Sequence, residues 1–440
     1  MKFEKYDSYK DSGIDWLGEI PSEWKVKRVK DLGGLQNGIS QDANYFGEGF
    51  PFVSYGHIYN DTIDVDKIKT LAKSSREDQK LYSVKEGDVF FTRTSETVDE
   101  IGFSGTCQKT IEKAIFSGFT IRLRPSKKKI WRGFSKYYFK ASSNRNFFVK
   151  NMNIVTRASL GQGLLNQLPT LLPPKDTQEK IASFLDEQSL TIDRELSILE
   201  QKIEKYKELK QTIITEAVVR GLDKNVVLKS SEITWIGDIP KHWEIKRFKD
   251  IAILSTGNSM SNKEDYEISI DAYPYIATKD INIGTNHIDY DNGVYVPKTD
   301  LKYKVASKYT TLLCIEGGSA GKKVAFLNKP VCYVNKLCNI KSKSSMFSKY
   351  TYYYVASHSF RLEFFSYING LIGGVSTFTL KTFSISVPPY EEQVAIANYL
   401  DEKTSKIDSI VEVIGKKIDV LKEFRKTLIN DVVTGKVKVA

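Results

Sequence analysis

The chain has 440 residues, which is more than one domain at roughly 100–200 residues per domain. Its 65 Lys and Arg against 54 Asp and Glu give a net charge of +11, which suits an anionic partner. Four cysteines without a Cys-x-x-Cys pair, and only four histidines, argue against a zinc finger or ribbon, and no stretch approaches the ~20 apolar residues of a membrane span. We therefore expect a soluble, cytoplasmic protein with reduced thiols.

Three short blocks occur twice in the same order. Residues 15–28 read DWLGEIPSEWKVKR and residues 234–247 read TWIGDIPKHWEIKR, with Trp-x-Gly-acidic-Ile-Pro-x-x-Trp in common. The two other pairs are PPKDTQEKIASFLD at 173–186 with PPYEEQVAIANYLD at 388–401, and EAVVRG at 216–221 with NDVVTG at 430–435. Ordered matches at nearly one offset predict a tandem repeat, with halves 1–222 and 223–440.

Between these blocks the two halves differ. Runs of β-branched and aromatic residues, bounded by Gly, Asp and Pro, predict a turn followed by a strand at 84–92, 117–123, 273–278 and 310–315. Aromatic helical stretches are predicted at 132–150 and 346–366. The predicted fold class is α+β, with two mixed α/β modules in a pseudo-twofold tandem repeat. The repeated blocks at the ends of each half, with unlike sequences between them, favour two variable recognition modules on one shared scaffold. The alternative is a structural duplication in which the sequences between the blocks have no functional role.

Each module is followed by a predicted long helix. Apolar residues recur at steps of three and four, which is typical of a coiled-coil seam. In the first helix the seam comprises Ile192, Leu196, Leu199, Ile203 and Tyr206, and the stripe continues through Leu209 and Ile213. In the second helix it comprises Ile407, Val411, Ile414, Ile418 and Leu421, and the stripe continues through Phe424 and Leu428.

Two such stripes predict an antiparallel helix pair, because the opposite faces are strongly charged. The alternative is that each stripe packs on its own module. A helix over 176–220 would be about 68 Å long. Antiparallel pairing would place the modules at opposite ends of a rod, which suits two half-sites about one turn of DNA apart, ~34 Å. The predicted domains are 1–174 (first module), 175–222 (central helix), 223–388 (second module) and 389–440 (C-terminal helix).

Both modules contain a basic tract without acidic residues. Residues 113–175 hold 13 Lys and Arg, and residues 317–362 hold eight, with no Asp or Glu in either tract. Phosphate contacts need Lys and Arg, and acidic residues there would repel the DNA backbone. The tracts favour double-stranded DNA as the partner, although a solvated basic face is the simpler alternative.

The motifs that resemble catalytic signatures are incomplete. EGGSAGKK at 316–323 is one residue short of a phosphate-binding loop and lacks the Ser or Thr after its Lys. VPPY at 387–390 has Val where amino-group DNA methyltransferases need Asn or Asp, and no Gly-rich cofactor loop accompanies it. The four scattered histidines make a nucleophile–histidine pair improbable. We therefore predict a chain that is not an enzyme and binds no metal.

The repeated Trp blocks, the variable modules, the repeated Pro-Pro-x-x-x-Gln-x-x-Ile-Ala-x-x-Leu-Asp and the long helices closely resemble the DNA specificity subunit of Type I restriction–modification systems. The resemblance covers essentially the whole chain, twice. In the first copy Thr177 precedes Gln178 where the family, like Glu392 here, usually has Glu.

The resemblance implies a division of labour in the cytoplasm of a prokaryotic cell, at the nucleoid. Each module would be a target recognition domain that reads one half of a bipartite, asymmetric DNA target. The helices would set the spacer and dock two methylation subunits, which carry S-adenosylmethionine and methylate adenine. Two restriction subunits that use ATP and Mg²⁺ would be optional further partners. The chain itself would bind no cofactor, have no membrane partner and catalyse nothing.

Candidate DNA contacts are polar or basic residues in predicted loops, which could reach base edges. In the first module they are Arg93, Thr94, Ser95, Arg157, Ser159 and Gln162. In the second module they are Lys279, Asn282, Ser319, Lys322, Lys323, Ser376 and Thr377. The simpler interpretation of each is an ordinary surface loop residue.

Two other classes of function compete with a DNA reader. A fused adenine DNA methyltransferase would need the cofactor loop and an intact Asn/Asp-Pro-Pro-Tyr box. A coiled-coil adaptor that does not read DNA would not need acid-free basic tracts. Neither alternative explains two common frames around unlike middles.

Overall fold

The computed structural model describes residues 4–59, 62–95, 101–126, 129–151, 158–260, 266, 271–368 and 373–439. Its internal contacts divide the chain into two compact units. Unit 1 comprises Met1–Ile198 and Lys417–Ala440, and unit 2 comprises Leu199–Lys416. Each unit therefore contains one module, the beginning of the helix that follows it, and the end of the other long helix.

The module of unit 1 is built from short strands and helices. Its strands are β1 (Tyr9–Asp11), β2 (Glu19–Pro21), β3 (Lys25–Arg28), β4 (Gly33–Asn37), β5 (Phe46–Val53), β6 (Thr62–Ile63), β7 (Leu71–Ala72), β8 (Val89–Thr92), β9 (Thr94–Ser95), β10 (Ser104–Cys107), β11 (Ile115–Phe116), β12 (Thr120–Pro125), β13 (Ala158–Ser159) and β14 (Pro169–Leu172). Its helices are α1 (Val29–Leu32), α2 (Arg76–Leu81), α3 (Arg132–Tyr138), α4 (Ser142–Asn151) and α5 (Gln162–Gln167).

Two sheets form the body of this module. One has the order β4-β12-β8-β10-β6, antiparallel except for the β10–β6 pair, and the other has the order β11-β5-β7. β8 is buried along its whole length, as expected of a central strand. Three two-stranded pairs, β1–β2, β3–β14 and β9–β13, join the module's ends and loops.

Unit 2 repeats this plan. The first long helix, α6 (Lys175–Arg220), leads into strands β15 (Leu228–Ser230), β16 (Asp238–Pro240), β17 (Glu244–Arg247), β18 (Ala252–Thr256), β19 (Ala272–Ile276), β20 (Tyr295–Pro297), β21 (Val305–Ala306), β22 (Thr311–Cys314), β23 (Val324–Phe326), β24 (Val331–Tyr333), β25 (Leu337–Ser342) and β26 (Ser384–Val387). The helices of unit 2 are α7 (Phe248–Ile251), α8 (Ser348–Ala356), α9 (His358–Ser366), α10 (Thr377–Leu380) and α11 (Tyr390–Val433).

The sheets of unit 2 have four strands each. Their orders are β18-β25-β22-β23 and β20-β19-β24-β21, with β15–β16 and β17–β26 as separate pairs. β18, β25, β22 and β23 therefore correspond to β4, β12, β8 and β10. The four strands predicted from sequence are confirmed as β8, β12, β19 and β22, and so is the α+β class.

The helical stretches predicted at 132–150 and 346–366 are both present. Each is two helices, α3 with α4 and α8 with α9. In unit 2 the break falls at Ser357, whose hydroxyl donates to the Tyr354 carbonyl at 2.6 Å and accepts from the Phe360 N–H at 3.3 Å. This serine thus caps α9, which a pattern of apolar residues does not reveal.

The two long helices pack against each other, as predicted. In unit 1, Asp193 pairs with Arg425 at 2.8 Å and Glu195 with Lys417 at 2.6 Å. In unit 2, Asp408 pairs with Lys210 at 2.7 Å. As the residue numbers increase along α6, those of the paired residues on α11 decrease, so the helices are antiparallel. α6 is unbroken over 46 residues, about 69 Å.

The predicted seam residues lie on the protected side of both helices. Buried are Ile192, Leu196, Leu199, Ile407 and Ile418, and half-buried are Ile203, Tyr206, Val411, Ile414 and Leu421. The extended stripe was wrong at Leu209 and Phe424, which are 45% and 42% exposed. Leu428, one step further along the second stripe, is buried again, in the hydrophobic core of unit 1.

Candidate nucleic-acid interface

A buried glutamine ties each module to its long helix. The Gln178 Oε1 accepts from the Trp131 N–H at 2.8 Å, and its Nε2 donates to the Pro173 carbonyl at 2.9 Å. In unit 2 the Gln393 Oε1 accepts from the Phe347 N–H at 2.7 Å, and its Nε2 donates to the Pro388 carbonyl at 2.9 Å. The glutamine of the repeated Pro-Pro-x-x-x-Gln thus binds the N–H of the residue just before α3 or α8, and Trp131 and Phe347 are equivalent residues.

A repeated aspartate, about two turns further along each long helix, binds the same short helices. The Tyr137 hydroxyl donates to Asp186 at 2.6 Å, and the Tyr353 hydroxyl donates to Asp401 at 2.7 Å. A lysine adds an ion pair in each unit, Lys136 with Asp186 and Lys349 with Asp401. The helical blocks shared by the two halves are therefore structural frame.

The second tryptophan of each repeated Trp block lies in the hydrophobic core of its unit. Trp24 and Trp243 are fully buried. Each packs against the glycine that ends the other half's long helix, since a Cβ on Gly435 would lie 3.2 Å from the Trp24 ring and one on Gly221 would lie 3.1 Å from the Trp243 ring. The sequence repeat therefore does not coincide with the compact unit.

On this frame, the segment after β8 in unit 1 gathers several predicted DNA contacts. The Arg93 N–H donates to the Phe119 carbonyl at 3.0 Å, and the Arg93 carbonyl accepts from the Leu160 N–H at 2.7 Å. Thr94 lies directly opposite Ser159 in the β9–β13 pair. Ser159 is exposed and Thr94 half-buried.

The remaining candidates of unit 1 border this strand pair. The Gln162 Nε2 donates to the Asn37 Oδ1 at 3.0 Å, so α5 begins beside the end of β4. Ser95 lies in β9, and Arg157 lies outside the described residues. Phe119, which sequence reasoning missed, is 64% exposed next to Arg93.

Unit 2 has the same arrangement with other side chains. The Ile315 N–H donates to the Lys336 carbonyl at 3.0 Å, and the Ile315 carbonyl accepts from the Val375 N–H at 2.9 Å. Glu316 and Gly374 form an antiparallel bridge. Ile315 therefore corresponds to Arg93, Glu316 to Thr94, and Lys336 to Phe119.

The first turns of α5 and α10 also correspond. Thr377 begins α10 as Gln162 begins α5, and the preceding Ser376 caps the helix by accepting from the Thr379 N–H at 3.1 Å. The capping role occupies the hydroxyl that the sequence assigned to DNA. Phe378, in the place of Gly163, is 80% exposed and was also missed.

The other candidates of unit 2 lie on two neighbouring loops. The Lys323 Nζ donates to the Thr278 carbonyl at 2.6 Å, which ties the loop of Ser319, Lys322 and Lys323 to the turn that carries Lys279. Lys279, Lys322 and Asn282 are exposed, and the Asn282 Oδ1 accepts from Thr285 at 2.9 Å. The loop at 316–323 runs from β22 into β23 rather than into a helix. This topology differs from a phosphate-binding loop.

Basic residues of the first acid-free tract lie beside acidic residues from other parts of the chain. In unit 1, Arg124 pairs with the buried Asp88 at 2.6 Å and Arg132 pairs with Glu86. Burial, together with the neighbouring Arg124 charge, lowers the pKa of Arg122 to about 10. Much of the first tract thus stabilises the module, and its count of cations overstates the charge available to a phosphate backbone.

Neither a metal site nor a membrane span was found where the structure is described. No group of three or more His, Cys, Asp or Glu side chains among those residues could hold a metal ion. In the same part of the chain, no helix is both long and apolar enough to cross a membrane.

Comparison of the sequence with protein families finds one match that occurs twice. The family described as the Type I restriction modification DNA specificity domain matches residues 21–205 and residues 240–423. Each match begins at the Trp block of one half and ends within a long helix.

Two curated relatives cover most of the chain. The putative type I restriction enzyme MjaX specificity subunit of Methanocaldococcus jannaschii is 26% identical over 452 residues, covering 100% of this chain and 99% of the relative. The type I restriction enzyme EcoKI specificity subunit of Escherichia coli K12 is 22% identical over 415 residues, covering 89% of this chain and 84% of the relative.

Solved structures show the same fold. A chain from a structural study of complex assembly and conformational transition of the type I R-M system has a TM-score of 0.72 at 15% identity, covering 94% of this chain and 98% of its own. The HsdS subunit from Thermoanaerobacter tengcongensis has a TM-score of 0.53 at 15% identity, covering 95% and 98%.

Proposed function

The chain belongs to the family of Type I restriction–modification DNA specificity subunits, which are non-catalytic, and from this premise we propose that it reads a bipartite, asymmetric DNA target. Each recognition domain would read one half-site, with an unspecified spacer between the halves. The reading surface in each unit would be the strand pair at Thr94–Ser159 or Glu316–Gly374, together with the first turn of α5 or α10.

One observation carries this proposal. The same two backbone hydrogen bonds fix Arg93 in unit 1 and Ile315 in unit 2. The residues at the neighbouring equivalent positions differ, because Thr94 corresponds to Glu316 and Phe119 corresponds to Lys336. A hydroxyl and a carboxylate offer different hydrogen-bonding groups to a base edge. The two half-sites should therefore differ in sequence, and a palindromic target would contradict the proposal.

We propose that the long helices set the spacer and dock two methylation subunits. The antiparallel pairing gives them a defined length and register, which a ruler requires. Their outer faces also carry exposed apolar residues, Leu190, Ile198, Val420 and Phe424 in unit 1 and Leu209, Ile410 and Val413 in unit 2. A contiguous apolar patch on a charged surface is typical of an interaction site, and we propose that these side chains contribute to one.

The chemistry would then belong to the partners. The methylation subunits would bind S-adenosylmethionine and methylate adenine, and two restriction subunits using ATP and Mg²⁺ would be optional additions. This chain would bring double-stranded DNA and sequence choice to the complex, in the cytoplasm of a prokaryotic cell. An adaptor that does not read DNA is the second candidate, and only the exposed apolar helix faces favour it.

A long-read adenine-methylation map tests the proposal. Cells would express the methylation subunit either with this chain or without it. We expect a split motif that depends on the full chain. A soluble complex that methylates no new motif would contradict target reading and favour the adaptor.

A further inference from the structure

Glu316 stands in the middle of the proposed reading surface of unit 2. It is exposed, and its side chain makes no ion pair or hydrogen bond with any residue that the structure describes. Two neighbouring lysines are engaged elsewhere, since the Lys323 Nζ donates to the Thr278 carbonyl at 2.6 Å and the Lys322 Nζ donates to the Gly318 carbonyl at 3.3 Å. The carboxylate is therefore available as an acceptor.

The backbone around Glu316 is fixed on both sides. Its carbonyl accepts from the Cys314 thiol at 3.4 Å, and the residue bridges to Gly374. A Cβ at Gly374 would lie 2.9 Å from the Ile315 carbonyl oxygen and 3.3 Å from the Glu316 Cγ. A side chain at position 374 would crowd both atoms, so glycine there leaves the Glu316 side chain unobstructed.

A carboxylate on a DNA-binding surface has a narrow choice of partners. Close to the phosphate backbone it would be repelled, so it reduces affinity unless it meets a hydrogen-bond donor. In the major groove, cytosine presents the N4 amino group, whereas guanine presents the acceptors O6 and N7. Adenine places its N7 acceptor beside its N6 amino group, which disfavours a side chain that has acceptors alone.

We propose that Glu316 is a specificity-determining residue that accepts a hydrogen bond from the N4 amino group of a cytosine in the half-site read by unit 2. The inference rests on the proposed function and adds to it one residue, one base and one half-site. Thr94 holds the equivalent position in unit 1 and reads the other half-site.

The test uses the full-length protein and its proposed DNA target. The wild-type chain would first select a motif from a library of duplexes with two randomised blocks at varied spacings. If it enriches no split motif, the proposed function itself fails. Competition at one fixed salt concentration would then compare all four bases at each position of both half-sites.

Glu316→Gln should change one position of one half-site. Glutamine can bind adenine through N6 and N7 together, so the preference there should move from cytosine toward adenine, with discrimination changing about tenfold. Thr94→Val should alter only the other half-site. Glu244→Gln, which neutralises an exposed acid on frame strand β17, is the matched control and should leave the motif unchanged.

The Glu316 variants are isosteric or smaller at an exposed site, so thermal unfolding should match the wild type and exclude misfolding. An unchanged motif in both Glu316→Gln and Glu316→Ala would overturn the inference, even with a split motif in the wild type. Equal loss of affinity for every sequence would also overturn it, because that result describes a contact without base specificity.

Discussion

Glu363 is a buried acid whose ionisation should affect the stability of unit 2. It lies on α9, only 3% exposed, and its two carboxylate oxygens accept from the Ser384 N–H at 3.2 and 3.3 Å. Burial raises the pKa of Glu363 to about 7, although the N–H partly opposes this. The nearby Tyr354 stays neutral, because burial raises its pKa well above 10.0.

The sign of the pH dependence follows from this raised pKa. The neutral acid is favoured in the folded state, so its contribution to the free energy of unfolding is full below the ordinary pKa of a glutamate. That contribution is lost as the pH rises through about 7. We expect Glu363→Gln to be more stable than the wild type at about pH 8, by as much as about 3 kcal/mol.

Thermal unfolding between about pH 5 and about pH 8 measures this difference. The control is Glu391→Gln, an exposed acid in the first turn of α11, which should follow the wild-type profile. A steep decline with pH that persists in Glu363→Gln would show that another group is responsible.

At the scale of an element, the glycines that follow the two long helices are expected to be sensitive to substitution. Gly435 and Gly221 both have positive φ, at +78° and +77°. A Cβ would lie 2.4 Å from Pro21 at Gly435, but no closer than 3.1 Å to Trp243 at Gly221. We expect Gly435→Ala to destabilise by more than about 1 kcal/mol, and by more than Gly221→Ala.

The matched control for these substitutions is Gly415→Ala, within α11. A Cβ there meets nothing within 4 Å, and the residue has helical geometry. This change should raise the free energy of unfolding by roughly 0.4–1 kcal/mol, through the entropy of the unfolded chain. Chemical denaturation would measure the free energy of unfolding of the three variants. A change in the same direction in all three would contradict the packing argument.

The pairing of α6 with α11 can be measured through one ion pair. Lys210 is largely buried and donates to both carboxylate oxygens of Asp408 at 2.7 Å. A double-mutant cycle with Lys210→Met and Asp408→Asn should give a coupling energy of about 1 kcal/mol, more than an exposed pair gives. Lys205 with Glu208, a highly exposed pair within α6, is the comparison and should give less.

At the scale of the whole molecule, the proposed ruler predicts a link between helix length and DNA spacer. Within unit 2, counting back along α6 and forward along α11 from the Lys210–Asp408 pair sets the junction of Lys202 and Ile203 opposite that of Gly415 and Lys416. A seven-residue insertion at both junctions adds two turns, about 10 Å, and roughly preserves the seam. The spacer of the methylated motif should then lengthen by about three base pairs.

Insertion at only one junction provides the control. It displaces one helix relative to the other, so the complex should lose its motif or its stability rather than gain a spacer of new length. A doubly inserted chain that methylates with an unchanged spacer would refute the ruler.

The sequence alone determined the architecture, because its signals are local and repeated. The Trp blocks, the Pro-Pro-x-x-x-Gln segments and the apolar stripes predicted two α+β modules and two antiparallel helices, and these are confirmed. The resemblance carried by the same blocks predicted the family, which is also confirmed. Periodicity and repetition depend on neighbours in the chain, so no tertiary information was needed.

Only the tertiary structure decided how the repeat is divided and where its variable positions meet. Gly435 packs on Trp24, more than 400 residues earlier in the chain, so a compact unit combines segments from both halves. The equivalence of Thr94 and Glu316 likewise depends on backbone hydrogen bonds to distant residues, and no shared motif marks it. The tertiary structure also decided which basic residues pair with acids such as Asp88, because ion pairs depend on distance in space rather than on order in the chain.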